Sequence, residues 1–353
     1  MTTTINNKNK KANVPNLRFK EFQGEWITYK IKDVLSIGNG RDYKHLSNGE
    51  IPVFGTGGYM TSVDECLYDG ETTFIGRKGS INKPFYYNGK FWTVDTLFYT
   101  HSFNGITPKF TYCLFQTINW LKYNEASGVP SLSKDTIEKI KIMIPGLEEQ
   151  NKIAKLMFAL DERITTQNKI IEKLQSLIKG ISKQLLMNNQ NWRTVRIGEL
   201  LRIGNGKDYK HLGIGKIPVY GTGGQMLLVN DYLYDGESVC IGRKGTIDTP
   251  MFLKGKFWTV DTLFYTYDFK DVLPKFCYYL FLQINWKLYN EGTGVPSLSK
   301  STIENIKVKI PSIKQQHNIC SVLDCYEHKT KSEEQILELY HSEKQYLLRQ
   351  TFI

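Results

Sequence analysis

The chain has 353 residues, of which 46 are lysine or arginine and 35 are aspartate or glutamate, so its formal net charge is +11. Hydrophobic residues make up 41% of the sequence, which is enough to bury a core and excludes a wholly disordered protein. No apolar run approaches the ~18 residues that a membrane-spanning helix needs. Since residues 1–13 are polar and lack a signal-peptide core, we predict a disordered leader there and a cytoplasmic globular protein. The basic charge favours a polyanionic partner.

One domain-sized sequence occurs twice. Residues 26–161 align with residues 192–327 without a gap, and 76 of the 136 aligned pairs are identical. A repeat of this size is a whole domain with its connector, and is much longer than a solenoid unit. The repeat predicts two homologous domains, at 14–145 and 190–311, each followed by a connector.

Each copy is predicted to mix strands and helices. In the first copy, β-rich runs predict strands at 51–54, 72–75 and 91–99, helical spacing predicts a helix at 109–124, and the isoleucines between 137 and 144 predict a short helix and a strand. The glycine cluster at 54–58 lacks the following helix and the acidic residue of a cofactor loop. We interpret it as a tight turn.

The two connectors, 146–189 and 312–353, are predicted to be long helices. In the first, apolar residues recur at alternating spacings of four and three, interrupted only by Gln167, at Ile153, Met157, Leu160, Ile164, Ile171, Leu174, Ile178, Ile181 and Leu185. This spacing is typical of a coiled-coil seam, although an amphipathic helix lying on its own domain is an alternative. The second connector has a weaker seam at Ile319, Leu323, Tyr326, Thr330, Glu333, Leu337, Tyr340, Lys344, Leu347 and Thr351.

We therefore predict an α+β fold in which two homologous mixed α/β domains are joined and separated by two long antiparallel coiled-coil helices. Antiparallel pairing would relate the domains by a pseudo-twofold axis.

Sequence signatures of catalysis are missing. The chain has no P-loop, no H-E-x-x-H and no G-x-S-x-G. The six cysteines do not align between the copies, and the six histidines have no metal-ligand spacing, which argues against a zinc site and favours buried free thiols. We predict no catalytic residue, no metal and no cofactor in this chain.

Basic and hydroxyl side chains instead mark matching turns in the two copies. These candidate DNA-binding residues are Lys44, His45, Thr56, Arg77, Lys78, Ser131 and Ser133, with counterparts Lys210, His211, Thr222, Arg243, Lys244, Ser297 and Ser299. Such side chains on loops are those that contact phosphates and base edges. Each one alone could equally be part of a solvated turn.

The phrases that recur in the chain resemble a known family. Ile-Pro-Val-Tyr-Gly-Thr-Gly-Gly at 217–224, Ile-Gly-Arg-Lys-Gly at 241–245, and Gly-Val-Pro-Ser-Leu-Ser leading to a Glu-Glu-Gln helix start at 128–153 are similar to the specificity (S) subunits of type I restriction-modification systems. The order of domain, long helix, domain and long helix is similar as well. The resemblance covers nearly the whole chain.

The resemblance implies that each domain is a target recognition domain reading one half of a bipartite site in double-stranded DNA. It implies partners that carry the chemistry: two methyltransferase (M) subunits that bind S-adenosylmethionine, and restriction (R) subunits that use ATP and Mg²⁺. Because the two domains are so alike, we expect a near-palindromic target. Two alternatives are a stand-alone or decoy DNA-binding protein and a self-sufficient methyltransferase or nuclease. The absence of an Asn-Pro-Pro-Tyr-like or Asp-Pro-Pro-Tyr-like tetrapeptide counts against a methyltransferase.

Overall fold

The structure is a computed structural model that describes residues 13–187 and 191–353. The chain forms two compact units: the first contains the described residues up to Asn168 together with Ile336–Ile353, and the second is Lys169–Gln335. Residues 1–12 of the predicted leader lie outside the described residues. Asn13 is described, and its carbonyl oxygen accepts a hydrogen bond from the Trp26 N–H at 2.7 Å.

The first unit contains eight strands and three short helices besides its share of the long ones. The strands are β1 (Ile27–Lys30), β2 (Ser36–Asn39), β3 (Asn48–Gly55), β4 (Gly58–Val63), β5 (Tyr68–Gly76), β6 (Phe85–Thr93), β7 (Leu97–His101) and β8 (Lys141–Ile144). The helices are α1 (Ile31–Val34), α2 (Pro108–Phe115), α3 (Lys134–Lys139) and the long α4 (Leu147–Met187), with a 3₁₀ turn at Trp120–Tyr123.

The main sheet of the first unit has six strands in the order β2-β7-β5-β6-β3-β4, and β1 pairs with β8 separately. Most neighbours are antiparallel, but β3 pairs in parallel with β6 through Val53↔Trp92 and Phe54↔Thr93. Helix α2 packs on the sheet through Phe110 and Phe115, which are fully buried with Trp26 and Trp120. Large aromatic side chains thus fill the core of this unit.

The second unit repeats this order. Its strands are β9 (Arg193–Arg196), β10 (Arg202–Asn205), β11 (Ile214–Gly221), β12 (Gly224–Val229), β13 (Tyr234–Gly242), β14 (Met251–Thr259), β15 (Leu263–Tyr267) and β16 (Lys307–Ile310). Its helices are α5 (Ile197–Leu200), α6 (Pro274–Gln283), α7 (Lys300–Asn305) and the long α8 (Ile313–Thr351), with a 3₁₀ turn at Trp286–Tyr289. The six-stranded order β10-β15-β13-β14-β11-β12 matches that of the first unit.

Two predicted elements were wrong in extent. The strand predicted at 91–99 is divided between β6 and β7 by a turn at Asp95 and Thr96. The helix predicted at 109–124 ends at Phe115, because the Trp120 side chain turns back into the core and donates a hydrogen bond from Nε1 to the Phe115 carbonyl at 2.9 Å. That bond satisfies a carbonyl at the end of the helix, which has no partner within the helix.

The coiled-coil seams are confirmed by burial. Every predicted seam position of α4 and α8 within the described residues is buried or half-buried, and the polar members Gln167, Thr330, Glu333, Lys344 and Thr351 are buried too. In the first unit, Lys344 forms an ion pair with Asp161, and Phe352, eight residues later, lies in the core cluster of Ile153. The helices therefore pack antiparallel there.

The second unit shows the same antiparallel packing. Leu186, near the end of α4, and Ile319 and Leu323, near the start of α8, belong to one buried cluster. Ile181, one turn and a half before Leu186, packs against this cluster.

A buried glutamine anchors each long helix to its domain. The Gln150 side chain accepts a hydrogen bond from the Thr107 N–H at 2.8 Å and donates to the carbonyls of Gly105 and Pro145 at 2.9 and 2.8 Å. Gln316 makes the corresponding bonds in the second unit. All three bonds connect loops to the first turn of the helix, so they hold its direction relative to its own domain.

Four of the six cysteines are buried, whereas Cys66 and Cys325 are exposed, so the prediction of buried thiols was wrong for these two. None of the helices in the described ranges has both the length and the apolarity that a membrane span requires.

Candidate nucleic-acid interface

A glycine turn after β5 and the Val-Pro-Ser loop form one surface in the first unit. The Gly79 N–H donates to the Pro130 carbonyl at 2.8 Å, and the Leu132 N–H donates to the Arg77 carbonyl at 2.9 Å. Lys78 and Ser131 face each other across an isolated β-bridge. The second unit repeats the bridge with Lys244 and Ser297. Segments that are about 50 residues apart in sequence are thus joined by backbone hydrogen bonds.

Thr56 and Arg77 are positioned at the same surface. Gly79 has φ +85°, and a Cβ built there would lie 3.8 Å from the Thr56 hydroxyl oxygen, so this hydroxyl lies beside the turn. The Arg77 guanidinium donates from Nη1 to the Asp95 carbonyl at 3.3 Å and lies 5.9 Å from the centroid of the Phe98 ring. These contacts orient a half-buried cation while leaving most of its five N–H donors free for a ligand.

The second unit has the same arrangement. Thr222 lies beside Gly245, with its hydroxyl oxygen 3.7 Å from a Cβ built there, and Arg243 donates to the Asp261 carbonyl at 3.4 Å. Arg243 is exposed, whereas Arg77 is half-buried.

Lys44 and His45 form a separate group at the loop between β2 and β3. Both are exposed, and the His45 ring packs edge-on against Trp92 with the centroids 5.8 Å apart. Trp92 donates a hydrogen bond from Nε1 to the Arg41 carbonyl at 2.9 Å, which fixes the loop. Lys210, His211 and Trp258 repeat the arrangement, again at 5.8 Å between the rings. The predicted residues therefore make two basic groups on each domain.

Ser133 and Ser299 have a structural role as helix N-caps. The Ser133 hydroxyl accepts a hydrogen bond from the Thr136 N–H at 3.1 Å as the N-cap of α3, and it donates to Glu125 at 2.7 Å. Thr136 also donates to Glu125, and these two hydroxyl donors hold the pKa of the Glu125 carboxyl below its usual value. The same bonds around Ser299 lower the pKa of Glu291. The carboxylate is therefore ionised at neutral pH beside the basic turn.

Three residue pairs at this surface were missed by the sequence reasoning. In the second unit a shallow cleft is lined by Arg243, Lys244, Ser297 and Ser299, and also by Asn205, Glu291 and Lys300. Asn39, Glu125 and Lys134 are their identical counterparts in the first copy. Their identity between the copies was the signal that could have identified them. Among the described residues, no group of three or more His, Cys, Asp or Glu side chains could hold a metal ion.

A family model described as the type I restriction modification DNA specificity domain matches the chain twice, at residues 23–176 and 189–339. The chain belongs to this family. The type I restriction enzyme MjaVIII specificity subunit of Methanocaldococcus jannaschii is similar to this chain, with 25% identity over 331 residues that cover 76% of this chain and 74% of the relative.

Solved structures share the fold. The S subunit of a type I restriction-modification system from M. genitalium aligns with a TM-score of 0.70 at 16% identity, over 96% of this chain and 99% of that one. A chain from a structural study of the assembly and conformational transition of the type I system aligns with a TM-score of 0.59 at 14% identity, over 93% and 97%. Both likenesses extend over two domains and two long helices.

Proposed function

We propose that this chain is the sequence-specific DNA-binding subunit of a type I restriction-modification complex. The observation that carries the proposal is that one basic surface, built from the same turns and the same hydrogen bonds, occurs on each of two homologous domains. Two such surfaces suit a bipartite DNA target. The relatives are named as restriction enzyme specificity subunits, which favours this function over a stand-alone or decoy DNA-binding protein.

The side chains of this surface fall into groups that differ in the contact each can make with DNA. The Arg77 and Arg243 guanidiniums can donate two parallel hydrogen bonds to guanine in the major groove. Lys44, Lys78 and their counterparts are exposed point charges suited to phosphates, which position a protein on DNA without reading sequence. Ser133 and Ser299 hold the surrounding loop in place through their helix caps.

In this proposal, partner subunits carry out the catalysis. Methyltransferase subunits, two per chain, would bind S-adenosylmethionine, restriction subunits would use ATP and Mg²⁺, and this chain would be non-catalytic. The long helices carry exposed apolar side chains, including Leu156 and Leu177 on α4 and Val322, Leu339 and Tyr346 on α8. Exposed apolar side chains on otherwise polar helices are suited to docking a protein partner.

The test is selection from a pool of random DNA duplexes by the full-length chain, alone and with the methyltransferase subunit of its host. We expect a motif of two short half-sites separated by an unspecified spacer. Arg77→Ala should weaken binding by about 1–3 kcal/mol and relax base preference in one half-site only. Arg243→Ala should do the same in the other half-site.

Lys78→Ala is the matched control, because it removes a cation from the same turn. We expect it to weaken binding equally for all sequences and to reduce the salt dependence. An equal loss on all sequences for Arg77→Ala would identify Arg77 as a phosphate contact and contradict its base-reading role.

A further inference from the structure

Two strands form the edge of the sheet in each domain, next to the basic turn. In the first domain, strand β3 pairs with β4 along its length, but with β6 only through Val53 and Phe54. The stretch from Asn48 to Pro52 therefore has β4 as its only strand neighbour. We call residues 47–66 the first ribbon and the equivalent residues 213–232 the second ribbon.

The tip of each ribbon is continuous with the proposed DNA surface. Thr56 lies at the tip of the first ribbon and beside Gly79 of the Arg77 turn. At its other end the first ribbon follows the Lys44–His45 loop, whose Tyr43 and Leu46 pack with Val53 and Val63. Each ribbon thus lies between the two basic groups. A ribbon of two strands has the width that the major groove of DNA admits.

The ribbons differ in sequence between the two domains, whereas several segments around them do not. Ten of the twenty positions from 47 to 66 differ from their counterparts, whereas 75–79, 90–100 and 128–134 are identical to theirs. Identical turns on identical frameworks make identical contacts. Only the residues that differ can distinguish one half-site from the other.

The exposed chemistry of the two ribbons is different. The first ribbon presents Asn48, Glu50 and Tyr59, all exposed and all able to hydrogen-bond. The second presents Ile214, which is 98% exposed, with Leu227 and Leu228 at 37% and 44%. Their counterparts in the first ribbon are Asn48, Thr61 and Ser62. Leu227 and Leu228 are consecutive in β12, so exposed apolar side chains lie on both faces of the second ribbon, where another molecule can contact them.

The charge around the second ribbon favours DNA as that molecule. The ribbon itself carries Lys216 in place of Glu50, and the loop before it carries Lys207 and Lys210, all of them exposed. Apolar side chains between cations match the thymine methyl group, which lies at the edge of the major groove beneath the flanking phosphates.

We propose that the ribbons determine the difference between the two half-sites. The first ribbon reads bases by hydrogen bonds from Asn48, Glu50 and Tyr59. The second reads thymine through apolar contact of Ile214, Leu227 and Leu228 with its methyl group. This inference rests on the proposed function, and it makes the target an imperfect inverted repeat whose second half-site contains thymine.

The first experiment transfers the second ribbon onto the first domain with Asn48→Ile, Glu50→Lys, Tyr59→Gln, Thr61→Leu and Ser62→Leu. Duplex selection should then return two half-sites of the second type, facing each other. The matched control is Ile27→Arg with Leu121→Lys, which also introduces second-domain residues at exposed positions but outside the ribbon. The control should leave the motif unchanged. Thermal unfolding verifies that both variants fold.

The second experiment replaces each thymine of the selected target by deoxyuridine, which lacks only the methyl group. Binding should weaken about fourfold per contacted methyl group in the second half-site and remain unchanged in the first. Leu227→Thr with Leu228→Ser should reduce this sensitivity, because Ile214 keeps its own contact.

The outcomes distinguish a failure of the proposed function from a failure of the ribbon assignment. If the unaltered chain selects no motif, the proposed function itself fails. If it selects a bipartite motif that the transfer leaves unchanged, or that shows no sensitivity to uracil, only the ribbon assignment is overturned. Loss of partner binding without a change of motif in the Leu227→Thr, Leu228→Ser variant would instead identify the apolar group as a protein contact.

Discussion

Insertion of one heptad into each long helix, after Asn168 in α4 and after Gln335 in α8, is expected to change the spacer of the DNA target and leave both half-sites as they are. Seven residues add about 10 Å of helix at ~1.5 Å per residue. That length corresponds to about three base pairs at a rise of ~3.4 Å. A whole heptad keeps the seam residues facing each other, so the pairing of the helices is preserved.

Duplex selection measures the result directly. The original target should lose its specific binding, and a target with a spacer about three base pairs longer should replace it. Seven residues inserted ahead of Asn13 serve as the control and should leave the target unchanged. New half-sites with the original spacer would show that the helices take part in base reading, contrary to our assignment.

Phe352→Ala is expected to lower the free energy of unfolding of the first unit by about 3–5 kcal/mol, which is the usual cost of removing a buried phenylalanine side chain. Phe352 is 8% exposed, and its ring lies 5.3 Å from that of Phe110 and 6.2 Å from that of Trp26. The Leu17 N–H also donates to the Gln350 carbonyl at 2.9 Å. Residues 350–352 therefore complete the core of the first domain.

Urea unfolding with hydrogen exchange shows where stability is lost. The backbone around Trp26 and α2 should lose protection in Phe352→Ala, and the second unit should keep its own. Tyr346→Ala is the control, because Tyr346 also lies near the end of α8 but is 60% exposed. An equally small effect of both substitutions would mean that the first domain is stable without the Phe352 side chain.

Some elements of the fold have local causes in the sequence, and others depend on contacts between distant segments. Strand β8, helix α3 and both long helices follow from periodicity in short stretches, and the structure has them at the predicted places. The single strand expected at 91–99 and the long helix at 109–124 were wrong because their ends are decided by contacts outside the local pattern. A turn carrying Asp95 meets the Arg77 guanidinium, and Trp120 enters the core instead of extending α2.

Local and non-local causes can also be distinguished at the candidate site. The duplicated turns identified Arg77, Lys78 and Thr56 together with their counterparts, and the structure brings these residues to one surface on each domain. Periodicity gave no information about which hydroxyls remain free. Ser133 caps a helix, and that role depends on the start of α3 and on Glu125, eight residues away.

By itself, the sequence determined that this protein contains two copies of one mixed α/β domain, that a coiled-coil helix follows each copy, and which family it belongs to. These properties follow from repeats and residue spacings, which can be identified without the folded structure. Only the tertiary structure decided that residues 350–352 close the first core, that a two-stranded ribbon lies at the sheet edge beside each basic turn, and that the apolar residues of the second ribbon are exposed. Burial and strand neighbours are set by contacts between segments far apart in sequence, and no local pattern records them.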